Sequence, residues 1–320
     1  MQRRSFLHLA AATAASAGAP AWAQGSGPLK IITFSVAGGT VDVMTRTLAQ
    51  SMGKTLNRTV IVENKPGAAG LITIRALQAA PPNGDTIMFH NSTLVSLPLL
   101  QKNTNYDPFK DFAPIAGLGT GPNFLMVHKS VPAKNVAEFI AWARTQKDGV
   151  ECGNSGIGTG GHLISMLFAK TAGFKMLPVA YKGAAEVSHA LIGGEVKMML
   201  TTTTDALNAQ VKEGNVRILA AASDKPTPLA PGVPTISQTL PGFSLDGWNG
   251  MFAPAGTPAA KVAELSEALR VALSEPDVRQ KFAQMYQEAR YENPQQLTQS
   301  MERMAVFWKR VVNELNLTPS

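Results

Sequence analysis

Short apolar runs alternate with longer stretches in which apolar residues return every third or fourth position, from residue 29 to residue 222. The short runs fall at 29–34, 59–63, 86–90, 123–128, 150–152, 177–181, 196–201 and 216–222, and they predict strands. The longer stretches at 41–54, 70–80, 136–146, 161–171, 186–192 and 205–213 predict helices, with Asn135 and Glu138 forming a capping-box pattern ahead of the third. This βαβα order predicts α/β layers on mostly parallel sheets. Beyond residue 250 the rhythm changes. Pro258, Pro276 and Pro294 each stand where a first helical turn tolerates proline, and three amphipathic helices are expected after them. The stretch from Ser223 to Trp248, rich in Pro, Gly and Thr, reads as loop.

Two of the strand-to-helix junctions carry glycines and hydroxyls. The first is Ser35-Val36-Ala37-Gly38-Gly39-Thr40-Val41-Asp42, and the second is Asn154-Ser155-Gly156-Ile157-Gly158-Thr159-Gly160-Gly161-His162. Glycines let backbone N–H groups turn toward a ligand, and a helix N-terminus adds unpaired donors and partial positive charge. Two such sockets predict one anion held between two lobes. In the first, the N–H groups of Gly38, Gly39 and Thr40, the hydroxyls of Ser35 and Thr40, and the neighbouring Ala37 are candidate contacts, with Asp42 ordering the helix start. In the second, Asn154, Ser155, Thr159, Gly160, Gly161 and His162 are candidates, His162 having capping or packing as its other reading. Bulk at Gly39 or Gly160 is expected to block close approach. Further candidates follow other strand ends, where open α/β sheets expose their crevices: Asn64, Gly67 and Ala68, then Asn91 and Ser92, Tyr181 and Lys182, and Thr201.

Rival chemistries find little support. Gly156, Gly158 and Gly161 satisfy G-x-G-x-x-G, yet the next strand ends at Tyr181-Lys182 where a dinucleotide site would need an acidic residue. Gly153-Asn154-Ser155-Gly156-Ile157 is not G-x-S-x-G, so Ser155 is not read as a nucleophile. His90, His128, His162 and His189 lack metal-ligand spacing, and no metal or cofactor is expected.

Residues 1–23 read as an export signal: Arg3-Arg4-Ser5-Phe6-Leu7, an alanine-rich apolar stretch, and Ala21-Trp22-Ala23 as a cleavage pattern. The arginine pair resembles a twin-arginine signal, with Gln2 and His8 departing from its usual pattern, and an ordinary Sec signal stands as the alternative. The chain of 320 residues has 29 basic and 22 acidic side chains, a formal charge of +7 that falls to +5 without Arg3 and Arg4. Scattered basic residues and few aromatics argue against nucleic acid, and a mildly basic body favours anions. Cys152 is the only cysteine, so no intramolecular disulfide can form and stability must come from core burial.

The motifs in their order resemble the Bug (TctC-type) family of periplasmic solute-binding proteins serving tripartite tricarboxylate transporters. The matching blocks begin with Ala37-Gly38-Gly39 with Asp42 and Arg46, then Val62-Glu63-Asn64-Lys65-Pro66-Gly67-Ala68-Ala69-Gly70 and Tyr106-Asp107-Pro108 with Lys110-Asp111-Phe112-Ala113-Pro114-Ile115. They continue with Ser155-Gly156-Ile157-Gly158-Thr159, Tyr181-Lys182-Gly183-Ala184-Ala185, Gly193-Gly194-Glu195-Val196 and Pro231-Gly232-Val233-Pro234-Thr235. Trp248-Asn249-Gly250-Met251-Phe252-Ala253-Pro254 closes the series. The resemblance implies an α/β, two-lobed, type II (Venus-flytrap) periplasmic-binding-protein fold. Lobe one is expected from 24–120 and 250–320, and lobe two from 121–249. It also implies no catalysis. A monomer would capture a small organic acid, a mono- or dicarboxylate held largely by backbone donors, hydroxyls and water, and pass it to membrane permease subunits. A sensor partner of a membrane kinase, or an exported enzyme, stands as the alternative. Family members carry Pro-Phe-Pro before Ala-Gly-Gly, where this chain has Phe34-Ser35-Val36, which implies a roomier, more polar pocket.

Overall fold

The computed structural model describes residues 27–245 and 247–318, so the export signal expected at 1–23 lies outside the described residues. Two five-stranded sheets organise the chain. The first runs in the order β2 (Val60–Asn64), β1 (Leu29–Thr33), β3 (Thr86–Asn91), β10 (Asn249–Pro254), β4 (Phe112–Gly119). The second runs β7 (Met176–Ala180), β6 (Val150–Asn154), β8 (Met198–Thr201), β5 (Phe124–His128), β9 (Val216–Ala221). In each sheet the first three strands are parallel, and the fourth is antiparallel to both its neighbours.

The expectation of mostly parallel sheets is therefore corrected: half of the pairings are antiparallel. The reason lies in the connectivity. β5 is the first strand after the chain leaves the first sheet, and β10 is the first after it returns. Each arrives from the opposite lobe and inserts reversed beside β8 or β3. β4 and β10 were absent from the sequence pattern, because Pro114, Gly117, Gly250 and Pro254 interrupt them and β10 is buried along its whole length, with no alternation.

The helices follow their apolar spacing. α1 (Thr40–Thr55) buries Met44, Leu48 and Met52, and ends where Asn57 turns left-handed at φ 46°. α2 (Leu71–Gln78) and the short α3 (Thr93–Ser96) complete the first lobe's N-terminal part. α4 (Val136–Thr145) starts from Asn135, whose side chain accepts the Glu138 N–H, as the capping pattern implied. α5 (Gly160–Ala172), α6 (Ala184–Gly193) and α7 (Asp205–Lys212) accompany the second sheet. α8 (Ala259–Ser274), α9 (Pro276–Gln284) and α10 (Pro294–Glu314) form the helical end. α10 opens with a capping box between Asn293 and Gln296 and buries Leu297, Met301, Met304, Trp308 and Val311, a four-three-four-three spacing that keeps one face inward.

One core lies around β1, α1, α8 and α9, with Ile31, Leu48, Leu269 and Phe282 buried. A larger one is continuous through both lobes, joining Leu94 and Leu97 to Leu163, Ile164 and Phe168 of α5 and to Trp308 of α10. At 20–33 cal/mol per Å2 of apolar surface removed from water, large side chains such as Trp308 and Phe168 each contribute about 2–3 kcal/mol to this seam. Cys152 sits in it, buried and unbridged, and burial pushes its thiol up to about 12. His90, on the central strand β3 of the first sheet, is also buried, and loss of solvent lowers its pKa to about 4, so it is neutral at physiological pH.

Candidate functional site

A cavity of about 400 Å3 lies between the sheets, and strand ends and helix starts from both lobes line it. Its first wall is the turn from β1 into α1. Gly38 adopts φ 78°, and its N–H donates to Asp42 Oδ2 at 2.9 Å. The Gly39 N–H donates to Val36 O at 3.2 Å, and the first α1 bond runs from Val43 N to Gly39 O at 3.0 Å. The donors of Gly38 and Gly39 are thus consumed within the loop. This corrects the expectation that they face the ligand. Gly39 is the N-cap and has no side chain to cap with, so the N–H groups of Thr40 and Val41 are left at an uncapped helix start on the cavity wall.

Behind this wall stands a polar brace. Asp42 is 2% exposed; Arg46 Nε donates to its Oδ2 at 3.0 Å and Asn64 Nδ2 to its Oδ1 at 2.8 Å. Asn64 Nδ2 also donates to Ser35 O, and Arg46 Nη2 to Asn64 Oδ1. Burial pushes the Asp42 carboxyl up, but hydrogen bonds from Arg46, Gly38 and Asn64 outweigh it and hold the group below its ordinary value. Asp42 and Asn64, both candidate contacts, support the loop and do not line the cavity.

The second wall is the turn from β6 into α5. Gly156 and Gly158 take φ 131° and 85°, conformations that side chains rarely adopt. Asn154 Oδ1 accepts the Gly156 N–H at 3.2 Å and its Nδ2 donates to Val179 O at 3.1 Å, so Asn154 ties the loop to β7 from behind. His162 Nδ1 accepts the Gly158 N–H at 3.2 Å, and burial lowers the His162 pKa. The Thr159 hydroxyl donates to Gly156 O and weakly caps the His162 N–H at 3.4 Å, leaving Gly160 and Gly161 N–H at the helix start. Ser96 Oγ reaches across from the first lobe to Gly158 O at 3.0 Å.

Of the candidate residues, Ser35, Ala37, Gly38, Gly39, Thr40, Gly67, Asn91, Ser92, Ser155, Thr159, Gly160, Gly161, Lys182 and Thr201 line the cavity together. Asp42, Asn64, Asn154 and His162 stand one layer behind, their polar atoms committed to the loops. Ala68 is exposed and lies off the cavity, and its neighbour Ala69 takes the wall; both are left-handed, at φ 47° and 53°. Tyr181 is turned to Glu195, to whose Oε2 its hydroxyl donates at 3.4 Å, and does not line the cavity.

Sequence reading missed a second set. The start of α6 also lines the cavity: its N-cap Gly183 offers no side chain, and Ala184 and Ala185 follow on the wall. So do Thr120, Asn123, Trp248 and Asn249, where the chain crosses between lobes, and Gln287 after α9. Asn249 sits opposite Asn91 in the β10–β3 register, which places both on one sheet face. No periodic signal marks such residues; only the adjacency of the two crossings with Gln287 brings them together.

The charged lining residues among those described are Lys182 and Asp205, both exposed at the lobe-two rim, and no described arginine lines the cavity. Hydroxyls and amides supply the other polar groups, and Phe34, Met44, Met199 and Trp248 are among the residues supplying apolar surface. The uncapped helix starts of α1 and α6 and the weakly capped start of α5 therefore provide the positive character, and the arrangement suits a small anion gripped from two sides. Among the described residues no cluster of three His, Cys, Asp or Glu side chains is placed to hold a metal ion, and no helix is long and apolar enough to cross a membrane.

Comparison with known proteins agrees with this geometry. The family model described as the tripartite tricarboxylate transporter family receptor matches residues 44–317. The UPF0065 protein of the gbd 5' region of Cupriavidus necator is 33% identical over 326 aligned positions, covering 99% of each chain. Among solved structures, the periplasmic binding protein BugD superposes with a TM-score of 0.85 at 29% identity, covering 92% of this chain and 100% of BugD. An R. palustris protein solved with adipate gives 0.85 at 26%, covering 93% and 100%. MatC of Rhodopseudomonas palustris, solved with bound malate, gives 0.80 at 27%, covering 89% and 99%. The two-lobed architecture, the paired helix starts and these matches lead to one conclusion: the chain belongs to the tripartite tricarboxylate transporter receptor family, the Bug group of periplasmic solute-binding proteins.

Proposed function

We propose that this protein captures a small organic acid between its lobes and delivers it to the membrane permease subunits of a tripartite tricarboxylate transporter. The observation that carries the reading is the convergence of two helix starts, α1 from one lobe and α5 from the other, on one cavity that no described arginine lines. The ligand's carboxylate accepts hydrogen bonds from first-turn N–H groups and from the Thr40 and Ser155 hydroxyls, and from Ser35 once its hydroxyl turns away from Val36 O. Adipate and malate in two structural neighbours support the ligand class. Lobe one comprises 24–120 and 250–320 and lobe two 121–249, and the monomer closes by as much as the ligand's affinity differs between open and closed forms.

An organic-acid panel read by thermal unfolding tests this. A cognate acid at about 100 times its Kd stabilises by about 2.7 kcal/mol and is recovered unchanged. Ser35→Ala is expected to lose one bond to a charged group, about tenfold in affinity, and Lys182→Ala less than that, since Lys182 is exposed at the rim. No shift with any acid, or turnover of one, refutes the reading.

Export of the chain by the twin-arginine route, from Arg3 and Arg4, is part of the same proposal. Changing both to lysine is expected to leave the precursor unprocessed in the cytoplasm; normal periplasmic accumulation would show another route.

A further inference from the structure

One part of the cavity is lined by neutral amides. Asn123, Asn249 and Gln287 are 8%, 7% and 4% exposed and all line the cavity. Among the described residues none of the three side-chain amides has a hydrogen-bond partner. Their nitrogens and oxygens are not fully buried and stay open to the cavity, where water or a ligand must supply the partners. Three of them facing one space from three chain segments is therefore an arrangement that a ligand completes. The Gln287 side chain reaches this place past the first crossing only because residue 121 is glycine: a Cβ there would lie 2.4 Å from Gln287 Nε2 and 2.2 Å from Tyr286 O.

We infer that Asn123, Asn249 and Gln287 form a neutral subsite at the hinge side of the cavity that reads the far end of the ligand, and that this end is an uncharged group able both to donate and to accept hydrogen bonds. The inference rests on the organic-acid reading of the same cavity and names its substrate class: an acid with one carboxylate, held at the helix starts, and a carboxamide-like group at the other end. An amide matches this subsite, since each side chain offers a carbonyl acceptor and an NH2 donor. A second carboxylate does not. It could accept from the NH2 groups but would leave the carbonyl oxygens without donors.

The experiment pairs linear diacids of four to six carbons with their monoamides in calorimetric titration against the wild type, Asn249→Leu and Gln287→Met. Expected is a preference of about tenfold or more for at least one monoamide over its diacid, reduced to about threefold or less in both variants. Thermal unfolding shows whether each variant is folded, and Gly121→Ala, which displaces Gln287 without removing its amide, is expected to lose the same preference. Diacids binding as tightly as their monoamides, or a preference unchanged in folded variants, overturns the subsite. If diacids bind and no monoamide does, the subsite is likewise wrong. If neither series nor any other acid binds, it is the organic-acid reading that fails.

Discussion

Replacing Gly161 by valine is expected to abolish ligand binding, a loss of at least about 100-fold, while both lobes stay folded. A Cβ at Gly161 would stand 3.2 Å from Thr201 Cβ and Oγ1 and 3.3 Å from Leu200 O, so α5 packs on β8 with no room for a side chain. Valine forces the helix start off the sheet and carries the N–H donors of Gly160 and Gly161 with it. Overpacking of this kind costs about 1–3 kcal/mol of stability, which a domain of this size tolerates. Gly160, where the sequence alone places the block, is different: its Cβ would meet only Ser92 Oγ and Trp308 Cζ2, both at 3.8 Å, an ordinary contact. Calorimetric titration of Gly161→Val beside Lys182→Ala decides between mechanisms. Normal binding by the glycine variant, with binding lost in Lys182→Ala, would mean that a lysine and not the helix start supplies the counter-charge.

The second large effect is expected at Asp42. Asp42→Ala strands the Gly38 N–H and one Asn64 donor behind the first wall; with the half-exposed Arg46 resolvated, the loss is about 2 kcal/mol of stability. Affinity should fall with it, because the loop that presents Thr40 and Val41 is no longer braced. Acidification should act on the wild type in the same direction. The folded pKa of Asp42 lies below the unfolded one, so its contribution is present above the unfolded value near 3.8 and is lost as pH falls through the folded value. In Asp42→Asn that part of the acid sensitivity disappears. Urea unfolding of the three proteins at neutral pH and at pH 3 measures it, and equal acid sensitivity in wild type and Asp42→Asn would exclude the brace as a source of stability.

Much of this fold is legible in the chain because most strands and helices carry their own period. Leu297, Met301, Met304, Trp308 and Val311 declare α10 without help, and Asn135 with Glu138 declares where α4 begins. β10 could not be read so, since a strand buried on both faces between β3 and β4 has no polar alternation and its Gly250 and Pro254 mimic a turn. Within the site, the two glycine-rich junctions were visible because helix-start chemistry is local. The division of labour inside them was not. Whether Asp42 faces a ligand or the Gly38 N–H depends on Asn64, which comes from another strand, and Gln287 enters the cavity only through contact with a residue more than 160 positions earlier. Such placements are properties of tertiary packing, which no window of sequence contains.

Cys152 carries a consequence for the protein's chemical durability. The thiol lies in the core that runs through both lobes, 1% exposed, and its pKa is pushed up to about 12, so the nucleophilic thiolate is scarce at any physiological pH. Peroxide and disulfide exchange both begin from a thiolate that a reagent can reach, and the first step of the oxidation ladder is closed here on both counts. With no intramolecular disulfide to form and its one thiol shielded, the chain can fold under reducing conditions and its cysteine is spared in an oxidising compartment.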